Sequence, residues 1–229
     1  MDDRARRVFD DRHLFSYREL AAVPVAECGE PLVAMETEAA AGIRTAKLAL
    51  PWIRSGALDR LRLAGRALLR REPRLHLLVL ETYRSLARQR KGYEHYLAEF
   101  GRTRPELDRE ALMEYVHLHV AVPDVAGHPT GGAIDLTLTD ENGALDMGSA
   151  YGDFSTPLYH AFAEGTTEAQ RANRMLLRQV MVEAGFAPFT GEWWHFSYGD
   201  REWAAIWGRD AAIYEQLESP GTEVAPRLS

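Results

Sequence analysis

The chain has almost no cysteine and no long apolar run. Cys28 is the one cysteine among 229 residues, so an intramolecular disulfide is impossible and a secreted disulfide scaffold is excluded. No stretch approaches the roughly 18 consecutive apolar residues that a membrane-spanning helix needs. The charged residues 1–7 are not followed by the apolar segment of a signal peptide. We therefore expect a cytoplasmic protein that has no membrane partner.

Positively charged residues are fewer than negatively charged ones. The chain has 27 Lys and Arg against 34 Asp and Glu, which gives a formal net charge of −7. Since nucleic-acid binding depends on clustered Lys and Arg that neutralise phosphates, we expect no nucleic-acid partner. The length predicts a single domain over residues 1–229, and the oligomeric state stays open. Residues from about 218 to 229 are rich in Pro, Gly, Thr and charge, so we expect a flexible tail there.

Apolar residues recur at helical spacing in several segments. Ser85 is placed to cap one helix. Thr103 has the pattern of a capping box, with Pro105 inside the first turn of another helix. Gly185 follows the last of the four segments, where a helix end favours glycine. The predicted helices cover about 58–71, 86–100, 104–117 and 167–184.

Three further segments have the composition of strands. The apolar run 75–80 predicts a buried strand. Residues 133–139 alternate between apolar and polar types, which predicts a half-buried strand whose polar face carries Asp135. The aromatic segment 192–198 is also strand-like. Together with the helices, these strands predict an α+β fold: a single domain with a small, mainly antiparallel sheet and helices packed on it.

Two short segments about sixty residues apart carry the candidate chemistry. Residues 128–135 contain His128 and Asp135, and residues 192–196 contain Glu192 and His195. Two neutral imidazole nitrogens and one carboxylate oxygen suit a catalytic zinc ion and leave its fourth position for a water. The remaining carboxylate, Glu192, could then be the general base for that water. The sequence therefore predicts a zinc site on the sheet.

A simpler interpretation exists for each of these residues. His128 could be a surface-loop histidine beside an aspartate that caps a turn. Glu192 could pair with a surface arginine while His195 lies in an aromatic core. Because Glu192 and His195 are three residues apart, a regular strand would point them to opposite faces. The zinc interpretation therefore requires a bend, bulge or strand entry between them.

The pattern His-x-x-Gly-x-Ala-x-Asp at 128–135, followed by Glu-Trp-Trp-His at 192–195, resembles the zinc D-alanyl-D-alanine dipeptidases. These are the dipeptidases of the vancomycin-resistance type, which are relatives of zinc D,D-carboxypeptidases. The similarity covers roughly the last two thirds of the chain, and residues 1–70 are divergent. The resemblance implies one zinc ion per chain, held by His128, Asp135 and His195, with Glu192 as the catalytic base. It also implies that Arg84, after Tyr83, faces the scissile carbonyl.

The resemblance also suggests how the substrate is bound. Asp153 is similar to the acidic residue that binds the substrate's ammonium group, with Asp146 as the alternative because Gly152 shifts the register, and Tyr83 would also contact the substrate. The implied function is hydrolysis of a small dipeptide, D-Ala-D-Ala or a related D,D-dipeptide. Two alternatives remain, an amide hydrolase of specialised metabolism and a non-catalytic zinc-binding module. The exact substrate stays open because some positions depart from the family pattern, namely Ala126, Glu81, Ser85 and Gly152.

Overall fold

A computed structural model describes residues 1–219 of the chain. The predicted flexible tail lies almost entirely outside these residues. The helices are α1 (Asp3–Asp10), α2 (Tyr17–Ala21), α3 (Ser55–Arg71), α4 (Leu86–Thr103), α5 (Arg109–His117), α6 (Glu168–Glu183) and α7 (Arg201–Ile206). The strands are β1 (Leu32–Ala34), β2 (Ile43–Thr45), β3 (Trp52–Arg54), β4 (His76–Glu81), β5 (Ala133–Thr139), β6 (Ala187–Pro188) and β7 (His195–Ser197). Within the described part of the chain, every helix is too short or too polar to cross a membrane.

Five strands form one sheet in the order β2-β4-β5-β7-β6. Strands β2 and β4 pair in parallel, and the other neighbours in this sheet are antiparallel. Strands β1 and β3 form a separate antiparallel pair. Helix α3 packs on β4 and helix α6 packs on β5. The predicted α+β fold with a mainly antiparallel sheet is therefore confirmed.

Strand β5 is the centre of the sheet, and all of its residues are buried. One face carries Leu136 and Leu138, which join the main core together with residues of α3 and α6. The other face carries Asp135, Thr137 and Thr139, which are buried as well. The prediction of a half-buried strand was therefore wrong. Alternating residue types show that one face is polar, but they do not show that protein also covers that polar face.

A bulge in β4 determines which side chains face the candidate site. Val79 pairs with Leu136, but Glu81 pairs with Asp135, so β4 contains one extra residue relative to β5. In a regular strand Glu81 would share the face of Val79. The bulge turns Glu81 to the face of Asp135. On the other side of β5, Asp135 pairs with His195. Glu81, Asp135 and His195 therefore form a row on one face of the sheet.

Three of the four predicted helices are confirmed with small shifts at their ends. Ser85 caps α4 and accepts a hydrogen bond from the Arg88 amide. Thr167 forms a capping box with Gln170 at the start of α6. Gly185 follows α6 with a φ of 98°, a left-handed conformation that glycine adopts without steric cost.

The predicted start of the remaining helix, at about residue 104, was wrong. Thr103 is the last residue of α4, and α5 begins at Arg109. Asp108 is the cap of α5, because its carboxylate accepts a hydrogen bond from the Ala111 amide at 2.9 Å. The sequence offers two candidate caps within a few residues, and local pattern does not rank them. The apolar contacts between α4 and the next helix favour the longer α4.

Arg174 of α6 fixes the long segment that follows β5. Its buried guanidinium donates hydrogen bonds to the carbonyls of Met147, Leu158 and His160 at 2.6, 2.7 and 2.8 Å. Buried carbonyl groups need donors, and here one side chain supplies all three. The segment held in this way carries Tyr151, which reaches the polar row on the sheet.

Candidate metal centre and active-site cavity

The structure brings His128, Asp135 and His195 together. One ligand atom from each side chain lies within 4.8 Å of the others. The distance from His128 Nε2 to Asp135 Oδ1 is 3.4 Å, and the distance from His195 Nδ1 to the same oxygen is 2.9 Å. Asp135 and His195 are neighbours across β5 and β7. Over residues 1–219, this is the one group of three or more His, Cys, Asp or Glu side chains that could hold a metal.

His128 owes its position to a tight turn before β5. The turn ends at Gly131, which has a φ of 76°. A Cβ atom at that position would lie 2.4 Å from a methyl carbon of Leu32. On the other side of His128, a Cβ atom on Gly127 would lie 2.2 Å from Asp200 Oδ2. Both positions therefore require glycine, and the glycines let the turn bring the imidazole up against the end of the strand.

The three side chains fit a zinc ion. His128 Nδ1 lies 2.7 Å from the Thr82 carbonyl oxygen, so it carries the proton and leaves Nε2 free as a ligand atom. Burial alone would raise the pKa of Asp135, but the two neighbouring histidines outweigh burial and hold that pKa well below its ordinary value. In a tetrahedral zinc site with bonds of about 2 Å, ligand atoms lie roughly 3.3 Å apart. The 3.4 Å between His128 Nε2 and Asp135 Oδ1 matches this value. His195 Nδ1 lies 2.9 Å from the same oxygen, so it would need to move only slightly.

Glu192 lies beside this group without belonging to it. A turn at Trp193 and Trp194 separates Glu192 from His195, which begins β7. This turn is the bend that the three-residue spacing requires. Burial raises the pKa of Glu192 to about 7, and the charge of His195 opposes only part of that shift. A carboxylate with a pKa near neutrality can both accept and return a proton.

Arg84 faces the same cavity from the end of β4. Its Nε and Nη2 atoms donate to Glu81 at 3.2 and 2.5 Å, and its Nη1 atom donates to Gln89 Oε1 at 3.0 Å. The Arg84 amide also donates to the His128 carbonyl at 3.3 Å. These contacts fix the guanidinium, so its charge is held in place before any ligand binds. Such a pre-positioned cation suits the stabilisation of a developing negative charge.

A cavity of about 210 Å³ contains these groups. It is smaller than the roughly 300–1,000 Å³ typical of sites for drug-sized ligands, so it suits a small molecule. Phe15 and Leu20 from the N-terminal part of the chain form part of its wall. Tyr151 and Phe154 from the segment after β5 form another part. Segments that are distant in sequence therefore line the same cavity.

The other predicted substrate contacts lie elsewhere. Asp153 is half-buried, and its carboxylate accepts a hydrogen bond from the Ser155 amide at 2.9 Å. Asp146 is exposed and accepts hydrogen bonds from the Gly148 amide and the Gln170 side chain. Tyr83 is fully buried and donates to the Leu217 carbonyl at 2.8 Å. None of these three predicted residues lines the cavity.

Other residues of the cavity were not predicted as part of the site. The Tyr151 hydroxyl lies 3.0 Å from Asp135 Oδ2 and 3.1 Å from Glu81 Oε2. Asp200 and Glu202 approach from the start of α7. In the sequence Glu202 has the ordinary pattern of an acidic residue in the first turn of a helix. No local pattern shows that this turn faces the candidate metal ligands, so the sequence contains no signal that would have identified Glu202.

These features define the class of the protein. A group of His, Asp and His that could hold a metal, with a carboxylate and an arginine beside it in a small cavity, is an arrangement that suits a metallopeptidase. Residues 62–213, well over half of the chain, match the family model described as D-ala-D-ala dipeptidase. The chain belongs to this family of peptidases.

Curated relatives carry the same family name. A D-alanyl-D-alanine dipeptidase of Synechocystis sp. is 32% identical over 216 residues, which cover 80% of this chain and 87% of that protein. A D-alanyl-D-alanine dipeptidase of Escherichia coli is 38% identical over 99 residues, which cover 43% of this chain and 49% of that protein. The predicted family is therefore confirmed.

Two solved structures align with the chain at TM-scores below 0.5. The vancomycin-resistance D,D-pentapeptidase VanY, in complex with Zn(II), aligns with a TM-score of 0.41 and 16% identity over 79% of this chain and 94% of that chain. The LD-carboxypeptidase LdcB aligns with a TM-score of 0.45 and 20% identity over 82% of this chain and 76% of that chain.

Proposed function

We propose that the protein is a zinc-dependent hydrolase of small D,D-dipeptides, with D-Ala-D-Ala as the first substrate to test. The observation that carries this proposal is the ligand group of His128, Asp135 and His195 in one small cavity with Glu192 and Arg84. A purely structural zinc site would fill the fourth position with another protein ligand. The dipeptidase names of the relatives support a D,D-dipeptide as substrate.

In this proposal, His128, Asp135 and His195 hold one zinc ion per chain. Zinc would supply the Lewis acidity that activates water and polarises an amide carbonyl at neutral pH. Glu192 takes the proton of the attacking water and then returns it to the nitrogen of the leaving amino acid. Its raised pKa suits both transfers, because the acid and the base form are both populated near neutral pH.

Arg84 stabilises the negative charge that forms on the former carbonyl oxygen. Its guanidinium is already fixed by Glu81 and Gln89, so no reorganisation is needed during the reaction. The small volume of the cavity favours a substrate of about the size of a dipeptide. Burial of the carboxylates and histidines beside it strengthens each of these electrostatic interactions.

Metal analysis and two variants test the proposal. We expect about one zinc ion per chain, lost in His195→Ala because a site with two remaining ligands binds zinc weakly. Glu192→Gln should keep the zinc and lose at least ~10²-fold in turnover, since a general base contributes about 10²–10⁴-fold. Full activity in metal-free protein, or in Glu192→Gln, would contradict the proposed mechanism.

A panel of substrates separates the proposal from its alternatives. D,D-, L,D- and L,L-dipeptides should be compared at equal enzyme concentration, together with an acetylated D,D-tripeptide. We expect the D,D-dipeptides to be hydrolysed with the highest kcat/KM. Zinc-loaded protein that cleaves none of them would instead indicate a non-catalytic zinc-binding module or a different amide substrate. Efficient cleavage of the acetylated tripeptide would indicate a carboxypeptidase.

A further inference from the structure

The turn that carries His128 is held in place through the carbonyl groups that follow the histidine. The Thr130 carbonyl accepts a hydrogen bond from Arg54 Nε at 2.8 Å, and the Gly131 carbonyl accepts one from the Arg54 amide at 2.9 Å. A further donor to the turn, the Leu217 amide, is a backbone group. Among residues 1–219, Arg54 is therefore the one residue whose side chain donates to the carbonyls of residues 128–131.

Arg54 has no free donor with which to bind a ligand. It is 4% exposed, and a guanidinium has five N–H groups. Nε donates to Thr130, Nη1 donates to a Glu27 oxygen at 3.1 Å and to the Glu30 carbonyl at 2.6 Å, and Nη2 donates to the other Glu27 oxygen at 3.0 Å and to the Glu215 carbonyl at 3.1 Å. All five groups are therefore used. Because Arg54 also does not line the cavity, any effect on the site must pass through the turn.

Glu27 fixes the direction of the Arg54 guanidinium. Its two oxygens bind both terminal nitrogens of Arg54, a two-point contact that sets orientation as well as distance. The same carboxylate accepts hydrogen bonds from the Gly29 and Glu215 amides, both at 2.7 Å. Glu27 and Arg54 lie outside residues 62–213, which match the family model. The divergent N-terminal part of the chain therefore supplies the ion pair that holds this turn.

We propose that Arg54, oriented by Glu27, is a positioning residue that sets the place of His128 in the candidate metal centre. The inference rests on the proposed function, in which His128 binds zinc. The Thr82 carbonyl orients the imidazole ring, but the backbone that carries the ring is held by the turn. His128 Nε2 lies 3.4 Å from Asp135 Oδ1, and a metal site tolerates displacements of only about 0.5 Å. Release of the turn from Arg54 therefore weakens zinc binding.

The zinc affinity of Arg54→Lys tests this role. Lysine keeps the positive charge but has one nitrogen in place of three, so it cannot bind Glu27 at two points and also reach the Thr130 carbonyl. We expect the Kd for zinc to rise at least ~10-fold, in the range found for groups that support metal ligands. Competition with a chromophoric chelator, well below the Tm of each protein, measures it. With cobalt(II) in place of zinc, the visible absorption bands should also change, because they depend on ligand geometry.

Glu27→Gln is the second variant. The Glu27 side chain is 24% exposed, so its replacement disturbs the core less than a change at Arg54. Glu27→Gln should raise the Kd for zinc by a smaller factor than Arg54→Lys. The double variant should bind zinc as weakly as Arg54→Lys alone, because Glu27 acts through Arg54 and residues in one network are not additive. If Arg54→Lys does not fold, Glu27→Gln decides, and an unchanged Kd in it would overturn the role.

A matched control separates positioning from general stability. Arg178 is 3% exposed, and its guanidinium also donates to backbone carbonyls, those of Phe9 and Asp11 at 2.8 and 2.7 Å. It does not line the cavity. Arg178→Lys should therefore lower the Tm and leave the Kd for zinc unchanged. An unchanged Kd in Arg54→Lys would overturn the proposal, and so would an equal rise in Arg54→Lys and Arg178→Lys.

The result can be told apart from the fate of the proposed function. Wild-type protein that binds zinc and hydrolyses D-Ala-D-Ala, while Arg54→Lys binds zinc equally well, refutes only the positioning role. Zinc-loaded wild-type protein that hydrolyses no dipeptide refutes the proposed function, and the zinc affinities of the two proteins still test Arg54. Wild-type protein that binds no zinc overturns both.

Discussion

Individual hydrogen bonds determine which atoms of the candidate metal centre are available to bind a metal ion. The Thr82 carbonyl holds the proton of His128 on Nδ1, which leaves Nε2 directed at Asp135. The Tyr151 hydroxyl lies between Asp135 Oδ2 and Glu81 Oε2, at 3.0 and 3.1 Å. The hydroxyl therefore separates the carboxylates of two residues that are direct neighbours across β4 and β5. Groups of this kind orient a ligand without touching the metal.

Tyr151→Phe should weaken zinc binding. The change removes one hydroxyl, so Asp135 loses a hydrogen bond that fixes its orientation and the neighbouring Glu81 charge is less well separated from it. We expect the dissociation constant for zinc to rise at least ~10-fold, in the range found for groups that support metal ligands. Competition with a chromophoric chelator measures it. Tyr159→Phe is the control, because Tyr159 does not line the cavity. Equal zinc affinity in wild type and Tyr151→Phe would show that the hydroxyl does not support the site.

At the scale of secondary-structure elements, two helical glycines have opposite surroundings. Gly65 lies on the buried side of α3, where a Cβ atom would come within 2.1 Å of the Ala41 carbonyl oxygen. Gly92 lies in α4, and a Cβ atom there would meet nothing within 4 Å. Glycine in a helix costs about 1 kcal/mol relative to alanine. Gly92 therefore only weakens its helix, whereas Gly65 permits α3 to approach the turn at Ala41.

Replacing each glycine with alanine should shift the stability in opposite directions. Gly65→Ala should lower the free energy of unfolding by roughly 1–3 kcal/mol, because the added methyl group forces backbone apart. Gly92→Ala should raise it by about 0.5–1 kcal/mol, because alanine favours the helix and fills open space. Urea unfolding monitored by circular dichroism measures both. A stabilising Gly65→Ala would show that α3 can move away from the turn at little cost.

The elements also show where sequence reasoning succeeds and where it fails. Helix α6 could be predicted because a capping box, an apolar stripe and Gly185 all indicate the same segment. The start of α5 could not, because Thr103 and Asp108 are both acceptable caps and tertiary packing decides between them. The bulge before Glu81 leaves no local pattern, although it directs Glu81 toward Asp135.

The residues of the candidate site also divide into those that the sequence predicts and those that it does not. His128, Asp135, Glu192 and His195 could be predicted because their residue types and spacing together are specific. Glu202 could not, because its place in the cavity depends on how α7 packs on the rest of the fold.

At the scale of the whole molecule, the proposed zinc site joins parts of the chain that have no local reason to stay together. His128 lies in a turn, Asp135 in the central strand and His195 in β7. The unfolded chain does not hold these three side chains in one place, so zinc binds the folded state far better than the unfolded state. Any such difference in affinity becomes stability of the fold.

Zinc should therefore raise the melting temperature of the protein as a whole. At free zinc 100-fold above its dissociation constant, the added stability is about 2.7 kcal/mol. For a domain of this size that corresponds to a Tm increase of roughly 5–10 °C. Scanning calorimetry of the chelator-treated protein, with and without zinc, measures the shift. Glu192→Gln should keep the shift, because Glu192 is not a ligand, and His195→Ala should lose it. The same shift in His195→Ala would place the stabilising ion elsewhere, since a site that needs all three side chains cannot survive the loss of one without a large fall in affinity.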